Sequence, residues 1–112
     1  MSMITIPRWE AKRTAETRMV EDRLRPHFQQ VDAYRYNMAS IRLRVIDRRF
    51  EEMKRDQRDT MVEQELEKLP PETQGDILML LTFAPSELAQ EPGHFREFML
   101  NSDFEDPSPT ML

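Results

Sequence analysis

The amino-acid sequence predicts an α+β domain with the element order helix, strand, strand, helix, short turn, strand, helix. Two neighbouring segments are rich in β-branched and aromatic residues, and apolar residues recur at helical spacing before and after them. A continuous apolar run then follows a Pro-Pro pair and adds a third strand. The 112 residues, of which 38% are hydrophobic, suffice for one core and not for two. The sequence therefore predicts a single domain.

The first predicted element is a helix that follows a short apolar lead, residues 1–8. From Trp9 onward the chain is rich in helix-forming residues. Apolar side chains recur in it every four positions: Val20, Leu24 and Phe28. Residues at that spacing share one face of a helix. Because Pro26 lacks a backbone N–H and its ring clashes with the preceding turn, we expect the helix to end or bend near Leu24 or Arg25.

A β-hairpin is predicted next, with strands over residues 31–36 and 40–47. Pairing Tyr36 with Ile41 would gather the apolar side chains on one face: Tyr34, Tyr36, Ile41, Leu43 and Val45. The opposite face would then carry Arg35, Arg42 and Arg44. A shift of one residue would instead place the tyrosines among the arginines, where cation–π contacts form. We favour the first register because it keeps the apolar set together, and the tyrosines then belong to the core.

The second helix covers residues 54–69, where apolar side chains stand against a charged background: Met61, Val62, Leu66 and Leu69. A Pro-Pro pair ends it. Residues 77–83, with the sequence ILMLLTF, form a continuous apolar run between Gly75 and Pro85. Such a run is typical of a central strand that is covered on both faces, although a buried helix has the same pattern. We favour the strand because the run is short and bounded by turn residues.

The C-terminal part begins with a short helix near Pro85. After Gly93, apolar residues recur at helical spacing: Phe95, Phe98 and Met99. They fit either a docked helical turn or a partner-binding peptide. We therefore place one domain over residues 9–92 and a C-terminal extension over residues 93–112. Because the last residues are acidic and rich in proline and serine, we expect the extension to be at least partly disordered and removal of residues 102–112 to cost little stability.

The order of elements and several local motifs resemble the BolA-like family, whose fold is related to the class II KH fold. The segment FEEMKRDQRDTMVEQEL resembles the family's second helix, with four characteristic residues: Phe50, Arg58, Val62 and Leu66. The stretches LRPHFQQV and TFAPSEL resemble its first helix-to-strand passage and its last strand with the helix start that follows. The resemblance covers residues 16–90. It implies a three-stranded mixed sheet with helices on one face, in the order α-β-β-α-(short α)-β-α.

The resemblance implies a non-enzymatic adaptor whose protein-binding region includes Phe50, Arg58, Val62 and Asp76. BolA-like proteins act with monothiol glutaredoxins in iron–sulfur and iron handling, so the implied partner is a glutaredoxin-like protein. The family's cluster ligands are a histidine just inside the last strand and a histidine or cysteine in the first strand-to-strand loop. Here those positions hold Asp76 and residues 37–40 (NMAS), and Glu52 replaces a glycine usual in the family. Since iron–sulfur clusters bind thiolate or imidazole, we expect no cluster ligation and no cofactor.

An alternative function is the binding of an anionic partner, such as RNA, phosphate or an acidic protein, by a basic stripe. Its residues are Arg35, Arg42, Arg44, Arg48 and Arg49. If helices cover only one face of the sheet, arginines on the other face are free to meet such a partner. They would otherwise form only the solvent-facing side of the sheet, which long arginines cover well. A KH-like nucleic-acid-binding protein also needs a Gly-x-x-Gly loop, which this chain lacks, and the net charge of −5 disfavours a surface built throughout for phosphate.

The remaining residues exclude or disfavour several other functions. The chain has no cysteine, which excludes disulfides, thiolate nucleophiles and cysteine metal sites. His27 and His94 are isolated and no serine stands in a nucleophile motif, so we expect neither a metal site nor an enzyme. No apolar stretch is long enough to cross a bilayer and the start lacks an apolar signal core. We therefore expect a cytoplasmic protein without a membrane partner.

Overall fold

A computed structural model describes residues 9–89 and 93–107. Within these ranges the strands are β1 (Gln30–Asn37), β2 (Ser40–Ile46) and β3 (Ile77–Phe83). The α-helices are α1 (Ala15–Leu24), α2 (Arg55–Leu66), α3 (Pro71–Asp76) and α4 (Phe95–Glu105). Short 3-10 helices occupy Glu10–Lys12, Arg48–Glu52 and Pro85–Leu88. The predicted α+β class and the order α-β-β-α-(short α)-β-α are confirmed.

The three strands form a mixed sheet in the order β1-β2-β3. β2 lies in the middle, antiparallel to β1 and parallel to β3. The apolar run over Ile77–Phe83 is therefore a strand, but the prediction that it is central was wrong, because β3 lies at the edge of the sheet that the described residues form. Its second half is buried, whereas Leu78 is 70% exposed. A continuous apolar run reports that both faces of a strand are covered, and it does not report whether both edges are paired.

Helices α1 and α2 cover one face of the sheet and enclose the larger core. The side chains of this core come from both helices and from that face of the sheet: Val20, Leu24, Val31, Ala33, Ile41, Leu43, Val45, Val62 and Leu66. Helix α1 begins at a capping box, in which the Thr14 hydroxyl accepts a hydrogen bond from the Thr17 N–H at 3.3 Å. It ends at Leu24, two residues before Pro26, as the proline predicts.

The opposite face of the sheet is covered by α4 and by the Trp9 side chain. Phe104 of α4 is fully buried, and its ring centroid lies 4.9 Å from that of Tyr34 and 5.7 Å from that of Trp9. These aromatic rings form a second core with Leu81 and Phe83 of β3. The expectation of helices on one face only is corrected here, since α4 lies on the face that it leaves open.

The C-terminal extension differs from its prediction over the described part. Residues 95–105 form α4, and both Phe104 and Pro107 are buried, so this part of the extension belongs to the domain. The expectation that residues 102–112 can be removed at little cost is therefore revised, because Phe104 is a core residue. The predicted lead over residues 1–8 and the end of the extension, residues 108–112, lie outside the described residues.

The hairpin adopts the alternative register, and the favoured pairing of Tyr36 with Ile41 was wrong. Ile41 pairs with Arg35, and each further pair shifts accordingly, so that Tyr34 lies opposite Arg42. A bulge between Arg35 and Asn37 absorbs the extra residue. The apolar set on the α1 side is completed by Val31 and Ala33 rather than by the tyrosines. Tyr34 is nevertheless buried, because α4 covers its face.

Asp47 fixes the chain where β2 ends and the Arg48–Glu52 helix begins. Its carboxylate accepts hydrogen bonds from the backbone N–H of Gln29 at 3.1 Å and of Arg49 at 2.9 Å. The Arg49 side chain adds a contact at 3.0 Å. Burial alone would raise the pKa of Asp47, but these hydrogen bonds and the Arg49 charge outweigh it and hold the pKa below its usual value.

We predict that Asp47 stabilises the fold in a pH-dependent way. Its lowered pKa means that the contribution is complete well above the unfolded value of about 3.9 and is lost as the pH falls through the lower folded value. Asp47→Asn removes the titrating group. In urea unfolding at several pH values from 7 to 3, the gap in unfolding free energy between the native protein and this variant should therefore narrow in acid. A gap that stays constant over the range would contradict the assignment.

Candidate functional site

The structure does not bring the five arginines of the basic stripe together on one surface. Arg35 lies on the α1 side of the sheet, where its guanidinium binds the Asp76 carboxylate at 2.7 Å and lies 3.9 Å from Glu16. Arg42 and Arg44 lie on the other side because side chains alternate along the strands. The stripe is thus divided between both faces of the sheet.

Arg42 and Arg44 attach α4 to the sheet. Arg42 binds Asp103 at 3.1 Å and lies 3.8 Å from the centre of the Tyr36 ring. It also donates to the Tyr34 hydroxyl, which offsets in part the rise in the pKa of Tyr34 caused by burial. The Arg44 side chain is 3% exposed. Its bonds go to neighbouring acidic and amide oxygens: Asp32 at 2.6 Å, Asn101 at 2.7 Å and Glu105 at 2.8 Å.

Arg48 and Arg49 border an open cleft of about 500 Å³ between the end of α1 and the end of β2. Arg49 is already engaged, since it binds the Asp47 carboxylate and donates to the backbone carbonyl of His27. The residue Arg48 is exposed. Arg48 and Arg49, which border this cleft, are therefore the exposed arginines of the predicted stripe.

Three of the four residues that the resemblance assigns to partner binding are buried in the domain: Phe50, Arg58 and Val62. Phe50 and Val62 are fully buried, and the Phe50 ring lies 6.1 Å from that of Phe28. Arg58 donates to the Thr82 carbonyl at 3.2 Å and to both carboxylate oxygens of Glu87, at 2.7 and 3.2 Å. It thereby ties α2 to the end of β3. A partner can contact these side chains only indirectly, through the surface that they support.

The donor residues do not fit an iron–sulfur cluster. Asp76 is paired with Arg35, and in the neighbouring loop the Asn37 side chain accepts a hydrogen bond from the N–H of Ala39 at 2.8 Å. Neither group is the thiolate or imidazole that such a cluster binds. Over residues 9–89 and 93–107, no group of three or more His, Cys, Asp or Glu side chains is placed to hold a metal ion.

His27 contacts the Glu65 carboxylate at 3.0 Å. A hydrogen bond from Lys68 lowers the pKa of Glu65, and the charges of His27 and Arg23 lower it further.

Among the described residues, no helix is long and apolar enough to cross a membrane.

The outer edge of β3 is the feature that sequence reasoning missed. The carbonyl of Phe83 points toward β2, where it accepts a hydrogen bond from the Asp47 N–H. Because the backbone groups of successive strand residues point alternately to the two edges, those of Leu80 and Thr82 point away from β2. Arg58 occupies the Thr82 carbonyl. In the part of the chain that is described, no helix or further strand forms a hydrogen bond with the outward N–H and C=O groups of Leu80. Leu78 is the extra residue of a bulge in this ladder and projects into solvent.

This edge, which we call the β3 edge (Leu78, Leu80 and Thr82), is flanked by two different surfaces. On the α2 side, a cavity of about 300 Å³ is lined by acidic and apolar residues and one amide: Glu63, Leu66, Glu67, Gln74, Ile77 and Leu80. On the α4 side, a smaller cavity of about 130 Å³ is lined by Arg55, Leu80, Leu81, Thr82, Phe83, Arg96 and Leu100. Three apolar side chains of α4 are also exposed: Phe95, Phe98 and Met99.

The sequence did contain a signal for this edge. Strands at sheet edges are commonly protected by proline or by charged residues such as lysine, and ILMLLTF has neither. The same composition is what suggested a central strand. The signal becomes readable only when the position of β3 at the edge is known.

Comparisons with known proteins do not assign the chain to a family: no family model, no curated protein and no solved structure matches it. The resemblance to BolA-like proteins therefore rests on the motifs and the order of elements alone.

Proposed function

We propose that the chain is a non-enzymatic, BolA-like adaptor that binds another protein and does not itself ligate an iron–sulfur cluster. The β3 edge is the observation that carries this proposal. Over the described residues, no helix or further strand bonds the outward backbone groups of Leu80, and the exposed Leu78 side chain lies beside them. An edge of this kind accepts an extended segment of a partner, whose backbone bonds to it as an added strand.

The family resemblance supports the same part of the molecule. It assigns partner binding to the region around the second helix and the last strand, and here Arg58 fixes α2 to β3 directly behind the edge. A glutaredoxin-like partner is what the resemblance implies. Because Asp76 is paired with Arg35 and is no soft ligand, a partner would bind through protein contacts rather than through a shared cluster.

A nucleic-acid-binding function is the second candidate. The cleft beside Arg48 favours it, since an exposed guanidinium there can bind phosphate. Arg35, Arg42 and Arg44 contribute little to such a surface because their guanidinium groups bind carboxylates of the chain itself. Binding of this kind should weaken with rising salt and with Arg48→Glu.

We predict that a photo-reactive side chain at position 78 will cross-link to a partner protein in lysate from the native cells. Position 38 provides the matched control, because Met38 is 88% exposed and lies in the turn between β1 and β2 rather than at the β3 edge. The product at position 78 should persist after nuclease treatment and be absent at position 38. Equal products at both positions would contradict the proposal, and loss of the partner with nuclease would favour the second candidate.

A further inference from the structure

We infer that the strand received by the β3 edge is basic: an extended segment with Lys or Arg at alternate positions facing α2 and apolar residues facing α4. This inference rests on the proposed function, because it names the chemistry of the partner at the same edge. Its support is the row of carboxylates along α2 and the apolar depression beside α4.

Two contacts fix the direction of α2 relative to β3. Arg58, near the start of α2, contacts Thr82 near the end of β3, and Glu67, just past the end of α2, lies near Ile77 at the start of β3. The helix therefore runs antiparallel to the strand along its outer edge. A segment that adds to the β3 edge would lie beside the helix for most of its length.

The surface of α2 beside that edge carries a row of acidic side chains. Asp59, Glu63 and Glu67 follow one another at intervals of four residues and form one row on α2, which we call the acidic row. Asp59 accepts a hydrogen bond from the Thr82 hydroxyl at 2.9 Å, which places the row at the edge. Glu63 and Glu67 are exposed, and no basic side chain of the described residues forms an ion pair with either.

The spacing of the acidic row matches the spacing of side chains along an added strand. Four residues of an α-helix advance by about 6 Å. Two residues of a β-strand advance by about 6.6 Å, and their side chains point to the same face. Every second residue of an added strand would thus meet one carboxylate of the acidic row. Three basic residues at alternate positions match Asp59, Glu63 and Glu67 in both distance and charge.

The remaining side chains of an added strand would point to the α4 side, where the surface is different. The depression there is lined largely by apolar side chains, among them Leu81, Phe83 and Leu100. Arg55 and Arg96 line the same depression and disfavour a further cation there. Apolar residues therefore suit these alternate positions. The two flanks together specify which face of the partner strand is basic.

A second copy of this chain is a poorer occupant. Its β3 has no basic residue, and its own acidic row would follow it to the interface. In an antiparallel pairing of two β3 strands, the two rows would lie side by side and repel each other. Self-association through the β3 edge is therefore disfavoured.

The probe is a capped, fluorescently labelled peptide of seven residues that alternates Lys and Val. One control peptide alternates Glu and Val, and another is the Lys-Val peptide with N-methyl groups on the amides that would bond to β3. We expect the first peptide alone to raise fluorescence polarisation on adding the full chain. Amide NMR signals should shift at residues 78–82. Equal binding of the Glu-Val peptide, or an unaffected β3, would overturn the inference.

Two matched double variants each replace two acidic residues by lysine, one pair on the acidic row and the other pair on α1. Glu63→Lys with Glu67→Lys should weaken binding at least about tenfold, since two close ion pairs become repulsions. Glu16→Lys with Asp22→Lys alters the net charge equally, but on α1, and should leave the affinity within about twofold. Circular dichroism melts confirm that both variants fold. A similar loss in both would reduce the effect to overall charge and overturn the site.

The two proposals fail in different ways. If the Lys-Val peptide does not bind while position 78 still cross-links to a partner, the inference is wrong and the adaptor function stands. If neither occurs, both are wrong. Sedimentation velocity supplies the last outcome: a dimer that Leu78→Lys abolishes would make a second copy the occupant and overturn the basic-strand inference.

Discussion

Replacing Phe104 by alanine should lower the free energy of unfolding by about 3–5 kcal/mol. The ring is fully buried between α4 and the sheet, in contact with Tyr34 and Trp9. Removing it takes away that burial and leaves a cavity which the neighbouring rings fill only in part. Urea unfolding measures the change, and the fluorescence of Trp9 reports it directly because its ring lies 5.7 Å from that of Phe104.

Phe95→Ala is the matched control, since it makes the same chemical change on the same helix at a side chain that is 74% exposed. It should alter the unfolding free energy by no more than about 0.5 kcal/mol. Removal of residues 102–112 should cost at least as much as Phe104→Ala, because it deletes the ring together with part of α4. If Phe104→Ala were as mild as Phe95→Ala, α4 would not be part of the core.

The helices and strands were predictable because their signals are local. Val20 and Leu24 share a helical face, Pro26 stops that helix by its own covalent structure, and β-branched residues mark the strands. Each of these signals depends on residues within about one turn or one strand. The element order followed from them, and the α+β class followed from that order.

The hairpin register was not predictable by the same reasoning. Both registers place alternating apolar residues on one face, and they differ in whether Tyr34 or Ala33 accompanies Leu43. The choice depends on α4, which makes the tyrosine face a second interior. A rule that assigns all apolar residues to one face fails when both faces are covered.

The docking of α4 beyond the helical turn at Phe95, Phe98 and Met99 was not predicted, for a related reason. Asp103 and Glu105 gave the segment the composition of a polar tail, yet each pairs with an arginine of β2 about sixty residues earlier in the chain. Such long-range pairs leave no pattern in a single sequence. They also engage Arg42 and Arg44 of the basic stripe with carboxylates of α4, while the acidic row of α2 lies on the outer surface.

The second large effect is expected for Arg44→Ala, which should destabilise the fold by about 3–5 kcal/mol. Arg44 is the chief partner of the Asp32 carboxylate, through contacts at 2.6 and 3.2 Å, and Arg13 lies farther away at 3.6 Å. The Asp32 side chain is only 11% exposed. Alanine at position 44 would leave this charge buried without its main counterion, and it would release Glu105 of α4. Urea unfolding at neutral pH measures the loss.

A double variant separates the charge from the packing. Changing both Arg44 and Asp32 to leucine should cost less than the sum of the two single changes, because no unpaired charge remains buried. Arg48→Ala, at an exposed arginine, should stay within about 0.5 kcal/mol. If Arg44→Ala were equally mild, the Arg44 guanidinium of the native protein would be solvated rather than buried beneath α4. The sheet face would then be open to an anionic partner, and the nucleic-acid-binding function would gain the surface that the present contacts deny it.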